Sequence, residues 1–151
     1  MKLAEALIER AELKKKNANL LNRISDNAKV QEGDSPAEEP KELIEQYERN
    51  MERFLWLVRK INETNSKTTF GNGISISDAI ALRECLGAKH RAYQNIYTST
   101  KISARRYGQS EIKFVRCIEP KDVQKQIDKL AKEYRELDTK LQGINWTVDL
   151  V

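Results

Sequence analysis

Apolar residues recur along most of this chain at the three- and four-residue steps of an α-helix, and four stretches sustain the pattern long enough to predict long helices. The first, over residues 3–28, places Leu3, Ala6, Leu7, Leu13, Leu20, Leu21 and Ile24 on one side, with Arg10 and Asn17 interrupting the seam. A polar residue at such a position either pairs across a helix interface and fixes its register, or marks a drift of the stripe. The second helix, over 40–62, carries Leu43, Ile44, Tyr47, Met51, Phe54, Leu55, Val58 and Ile61. The third, over 78–106, shows Ala79, Leu82, Leu86, Tyr93, Ile96 and Tyr97, with Arg83 and His90 on its flank. The fourth, over 120–143, spaces Val123, Ile127, Leu130, Tyr134, Leu137, Leu141 and Ile144 by alternating steps of four and three, a seam suited to coiled-coil-like packing.

What lies between the helices is equally patterned. Gly33, Pro36 and Pro40 break the chain after the first helix, and Pro40 suits the first turn of the second. Asn72-Gly73, flanked by short β-prone runs, predicts a hairpin over 67–76, since both turn positions tolerate positive φ. Residues 111–118 are rich in β-branched and aromatic side chains and predict a strand that joins the hairpin or pairs between subunits. After Gly143 an extended tail is expected, with Trp146 and Leu150 pinned against the end of the helices. The sum is a mainly α fold: a single domain over 1–151, a four-helix bundle of long antiparallel helices with a small β appendage.

Composition narrows the function classes. In 151 residues and 17.5 kDa, charged residues reach 33% and hydrophobic ones 39%, a balance that suits long helices with wide solvated faces. The longest run of large apolar residues, Phe54 to Val58, is far short of the ~20 residues of a membrane span. The N-terminal residues lack the apolar core of an export signal, and Cys85 and Cys117 lack metal-site spacing, so a reducing cytoplasm is the expected location. The chain has one histidine, no glycine-rich phosphate loop and no Glu-x-x-His repeat, so neither catalysis, a metal nor a cofactor is expected.

Charge is uneven. Residues 1–60 hold 12 basic and 12 acidic side chains, residues 61–118 hold 9 and 4, and residues 119–151 hold 6 and 7. The excess centres on 101–116, where Arg105 and Arg106 adjoin Tyr107. Such a stretch either grips a polyanion such as nucleic acid or pairs with the acidic 32–39 loop of a neighbouring subunit, and the second is preferred. Trp56 points to the charged side of its helix and needs a cover, assigned to a second subunit over a loop of the same chain. The candidate subunit contacts are therefore Trp56, Phe114, Arg105, Arg106, Glu38 and Glu39. A second polar set, Asn62, Thr64, Asn65, Arg83, Glu111 and Lys113, is the candidate for a jointly built site, although helix-end bracing accounts for Asn62 to Asn65 equally well.

Met1-Lys2-Leu3-Ala4-Glu5-Ala6-Leu7, Gln31-Glu32-Gly33, Ile61-Asn62-Glu63-Thr64-Asn65, Ser110-Glu111-Ile112-Lys113 and Asn145-Trp146-Thr147 together resemble the septicolysin-like family of small bacterial proteins. Phe114 stands where such proteins commonly have tryptophan. The resemblance implies a helical protomer with a small β element, a homo-oligomer such as a hexamer, and no established catalytic residue. Its family label suggests a pore-forming cytolysin, whereas the apolar stripes are more economically explained as core than as a lipid-seeking surface.

Overall fold

A computed structural model describes residues 1–102 and 112–151. Four helices, α1 (Leu3–Asn27), α2 (Pro40–Lys67), α3 (Ile76–Ser99) and α4 (Pro120–Thr147), and one hairpin, β1 (Thr69–Gly71) with β2 (Ile74–Ser75), make a mainly α fold, helices bundled in pairs with a small β appendage. The chain forms two compact units: residues 1–77 with 142–151, and residues 78–141.

In the first unit α1 and α2 pack as an antiparallel pair. Leu3, Ala6, Leu13 and Leu20 on α1 and Leu43, Leu57 and Ile61 on α2 are buried. Asn17 sits among them, 6% exposed. Its Oδ1 accepts from Asn50 Nδ2 at 3.0 Å, and its Nδ2 lies 3.3 Å from Met51 Sδ. The seam asparagine therefore pairs across the interface rather than marking a drift of the stripe. Glu39 caps α2 by accepting from the Lys41 N–H, and Pro40 follows at the first helical position. Gly33, at φ 89°, belongs to a turn closed from Asp34 N to Gln31 O and not to the helix end.

Helix α2 runs through Lys67, five residues beyond its expected end, because Asn62 to Asn65 continue the helix instead of capping it. Thr64 is fully buried, and its hydroxyl donates to the Lys60 carbonyl at 2.8 Å and accepts from the Val151 N–H at 3.1 Å. The hairpin turns at Asn72 and Gly73, with φ 51° and 77°, the conformation a type I′ turn needs. Its strands pair Thr69 with Ser75 and Gly71 with Ile74. The two chain ends meet here too. Leu3 N donates to Val148 O, Leu150 N donates to Met1 O, and Lys2 Nζ lies 2.9 Å from Asp149.

In the second unit α3 meets α4. Arg83 donates to Asp138 at 2.7 Å, and Gly87 lets the Tyr134 ring approach so closely that an added Cβ would stand 3.3 Å from it. The inward seam of α3 is therefore Ala79, Arg83, Leu86, His90, Tyr93 and Tyr97, and Leu82, expected inside, is 48% exposed.

Three expectations are corrected. Helix α3 stops at Ser99, not 106, where the backbone tightens into three-residue turns, Thr100 N to Tyr97 O and Lys101 N to Thr98 O, and the Thr100 hydroxyl also donates to the Tyr97 carbonyl. Helix α4 continues past Gly143 to Thr147, and Trp146 is exposed rather than pinned. Residues 112–118 form no strand. A strand exists only by pairing, and this segment gains none among the described residues; it is tied down instead by Arg116, whose Nε donates to the Thr100 carbonyl at 2.7 Å.

Candidate functional site

Helix α2 carries more apolar surface than α1 covers. Its buried residues Leu43, Leu57 and Ile61 lie on the side of Asn50 and Arg53, which bond across to α1. At ~100° per residue, Ile44, Met51, Leu55 and Val58 form a second stripe about a third of a turn away. That stripe stays open: Ile44 is 46%, Met51 37% and Leu55 56% exposed. Leu21 of α1 continues it at 48%. Between the helices runs a groove of about 550 Å³ lined by Arg10, Lys14, Asn17, Leu21, Tyr47, Met51, Phe54 and Val58 with two alanines. On the outer flank of α2 the same stripe is edged by Glu48 and Glu52. One wall of this surface is thus basic and the other acidic.

Of the expected subunit contacts, Trp56, Glu38 and Glu39 have partners within the chain. Trp56 remains 42% exposed, and the Arg53 guanidinium stacks 4.3 Å from its ring centroid in an intrachain cation–π contact. Arg53 also makes two bonds to Glu9, of 2.7 and 2.9 Å. That guanidinium holds the Glu9 carboxyl below its ordinary pKa, chiefly through the hydrogen bond. Glu38 is gripped by both Nε and a terminal nitrogen of Arg23, which lowers its pKa in the same way. Asn27 accepts from the Glu38 N–H and donates to the Arg23 carbonyl. Glu39 is the cap of α2. The acidic loop expected to reach a basic stretch of another subunit thus has two of its carboxylates employed at home.

Phe114 is 72% exposed beside a groove of about 470 Å³ between Ser99–Ile102 and Phe114–Ile118. Lys101 lies over the Tyr97 ring, at 5.8 Å, and Arg116 is held by Thr100. Arg105, Arg106, Tyr107 and Glu111 lie outside the described residues. Of the polar set, Asn62, Thr64 and Asn65 belong to the first unit, Arg83 and Lys113 to the second. Thr64 is the buried anchor described above, and Arg83 is committed to Asp138. Among the described residues no group of three or more His, Cys, Asp or Glu could hold a metal ion. No helix among them is long and apolar enough to cross a membrane. The open α1–α2 surface escaped the sequence pattern because both stripes of α2 fall within one broad apolar arc; its width was the available signal.

A family model described as a family of unknown function, DUF6847, matches residues 10–150. The chain belongs to DUF6847. A solved structure described as a functionally unknown conserved protein from Corynebacterium diphtheriae resembles it with a TM-score of 0.93 and 40% sequence identity, over 100% of this chain and 99% of that one. No match is found among curated proteins. Membership of DUF6847 overturns the resemblance to the septicolysin-like family, which neither comparison supports. Of the motifs behind that resemblance, Gln31 to Gly33 lie in a turn, while Asn62 to Asn65 and Asn145 to Thr147 lie near the C-terminal ends of helices. The cytolysin activity and the hexamer follow from that resemblance alone and have no other support.

Proposed function

We propose that this protein is a self-associating helical protein with a structural or interaction role and no catalytic one, working in a reducing cytoplasm. The observation that supports this reading most is the second apolar stripe of α2, where Ile44, Met51 and Leu55 stand 46%, 37% and 56% exposed along one line. A line of large apolar side chains edged by charge is the usual mark of a protein–protein contact. The exposed, unbridged Cys85 and Cys117 suit the compartment. The heptad-spaced seam of α4, with Val123, Ile127, Leu130 and Leu141 buried, suits packing of a coiled-coil kind.

Light scattering after gel filtration, over a hundredfold range of concentration, tests the reading. A mass that is a fixed multiple of 17.5 kDa, with a clean protein absorbance ratio, is expected. A monomer throughout would reject self-association. A species whose absorbance at 260 nm is removed by salt would replace it with polyanion binding.

A further inference from the structure

Building on the self-association reading, we infer that the open stripe of α2 docks on a second copy of this chain across a two-fold axis parallel to the helices. The charges around the stripe carry the inference. Arg10 and Lys14 edge the groove from α1, and Glu48 and Glu52 edge the stripe from the far side of α2. Among the described residues none of these four is in an ion pair, in contrast to Glu9, Arg23, Glu38 and Arg53 close by.

Heights along the helices fix the match. Across the antiparallel pair Glu9 bonds Arg53 and Asn17 bonds Asn50, two anchors that bracket the register to within about five residues. Lys14, between Glu9 and Asn17, therefore stands at the height of residues 48–53 of α2, the stretch that holds Glu48 and Glu52. A two-fold parallel to the helices lays α1 of one copy on α2 of the other at equal height, bringing Lys14 to the edge formed by Glu48 and Glu52 twice. A two-fold across the helices would lay α1 on α1 and set basic against basic. Opposite rims thus favour one orientation and penalise the other, while Leu21, Met51 and Leu55 are buried at the centre.

Two sets of variants test this by sedimentation equilibrium, with far-ultraviolet circular dichroism as the check on folding. Leu55→Asp and Leu21→Asp change side chains already about half exposed, so helicity should hold while the dissociation constant of the dimer rises at least about 100-fold. Lys14→Glu and Glu52→Lys should each weaken the homodimer about 5- to 30-fold, because each charge occurs twice in an isologous contact. An equimolar mixture of these two should form the heterodimer in preference to either homodimer, because both contacts are then opposite in sign. If the wild type associates and the aspartate variants associate equally well, the stripe is not the interface, and only this inference falls. If the stripe variants dissociate but the mixture shows no preference, the parallel two-fold is wrong. A wild type that stays monomeric rejects the self-association reading itself, and flotation of that monomer with anionic vesicles would assign the stripe to a lipid surface.

Discussion

Asn17 shows what a single polar residue can settle. Leu13 and Leu20 flank it in a seam that would otherwise slide, and its amide finds Asn50 and Met51 on α2. Truncation to alanine strips Asn50 of its acceptor and leaves a gap. Asn17→Ala should therefore lower stability by about 1–3 kcal/mol, visible as an earlier urea midpoint. Asn17→Leu should recover most of that stability while relaxing the register. Equal midpoints for Asn17→Ala and the wild type would show that the pair contributes nothing. Trp56 teaches the complementary lesson. Its place on the charged side of α2 is legible from helical geometry, but its partner, Arg53, is one turn away on the same helix and simultaneously clamps Glu9.

At the scale of elements, local chemistry was the reliable guide. Pro40 with Glu39 before it starts α2, and Asn72-Gly73 turns the hairpin, because each depends on backbone preferences of adjacent residues. Gly73 stands at φ 77° with open space around an added Cβ, so substitution costs backbone strain alone. Gly73→Val should destabilise by about 1–2 kcal/mol, lowering the thermal midpoint by several degrees, whereas Asn72→Gly should leave it nearly unchanged. A valine variant as stable as the wild type would mean that the hairpin opens without cost to the rest. Where elements end was less legible. Helix α3 ends at Ser99 by tightening into three-residue backbone turns, which no local spacing marks. The 112–118 segment has β propensity and nothing to pair with among the described residues, and propensity without a partner makes no strand.

For the whole molecule, charge pairs hold carboxylates in their ionised form. Arg53 lowers the Glu9 pKa, Arg23 that of Glu38, Lys67 and Lys60 that of Glu63, and Lys2 that of Asp149. A carboxyl whose pKa is lower folded than unfolded stabilises the fold fully above its unfolded value, about 4, and loses that contribution as pH falls through the folded one. Urea midpoints should thus be flat from pH 7 to about 5 and drop steadily below about 4, more steeply for the wild type than for Glu9→Gln. Equal slopes would remove Glu9 from this linkage. The termini add a tie of another kind, where Met1 to Leu3 meet Val148 to Leu150 and Val151 reaches Thr64.

Sequence alone determined the mainly α class, the existence of the four helices, the start of α2 and the hairpin turn, because periodicity, caps and turn residues act within a few positions of themselves. It also marked Asn17 as a seam residue. Tertiary structure decided which arc of α2 is covered and which stays open, that Glu38 belongs to Arg23 and Arg83 to Asp138, and that Thr64 anchors the far end of the chain. Those outcomes depend on contacts between residues 15 to 87 positions apart, and on which of several nearby opposite charges a side chain can reach. Nothing in local spacing ranks such partners. The open stripe of α2 is the clearest case: its residues read as core, and only the position of α1 leaves them at the surface.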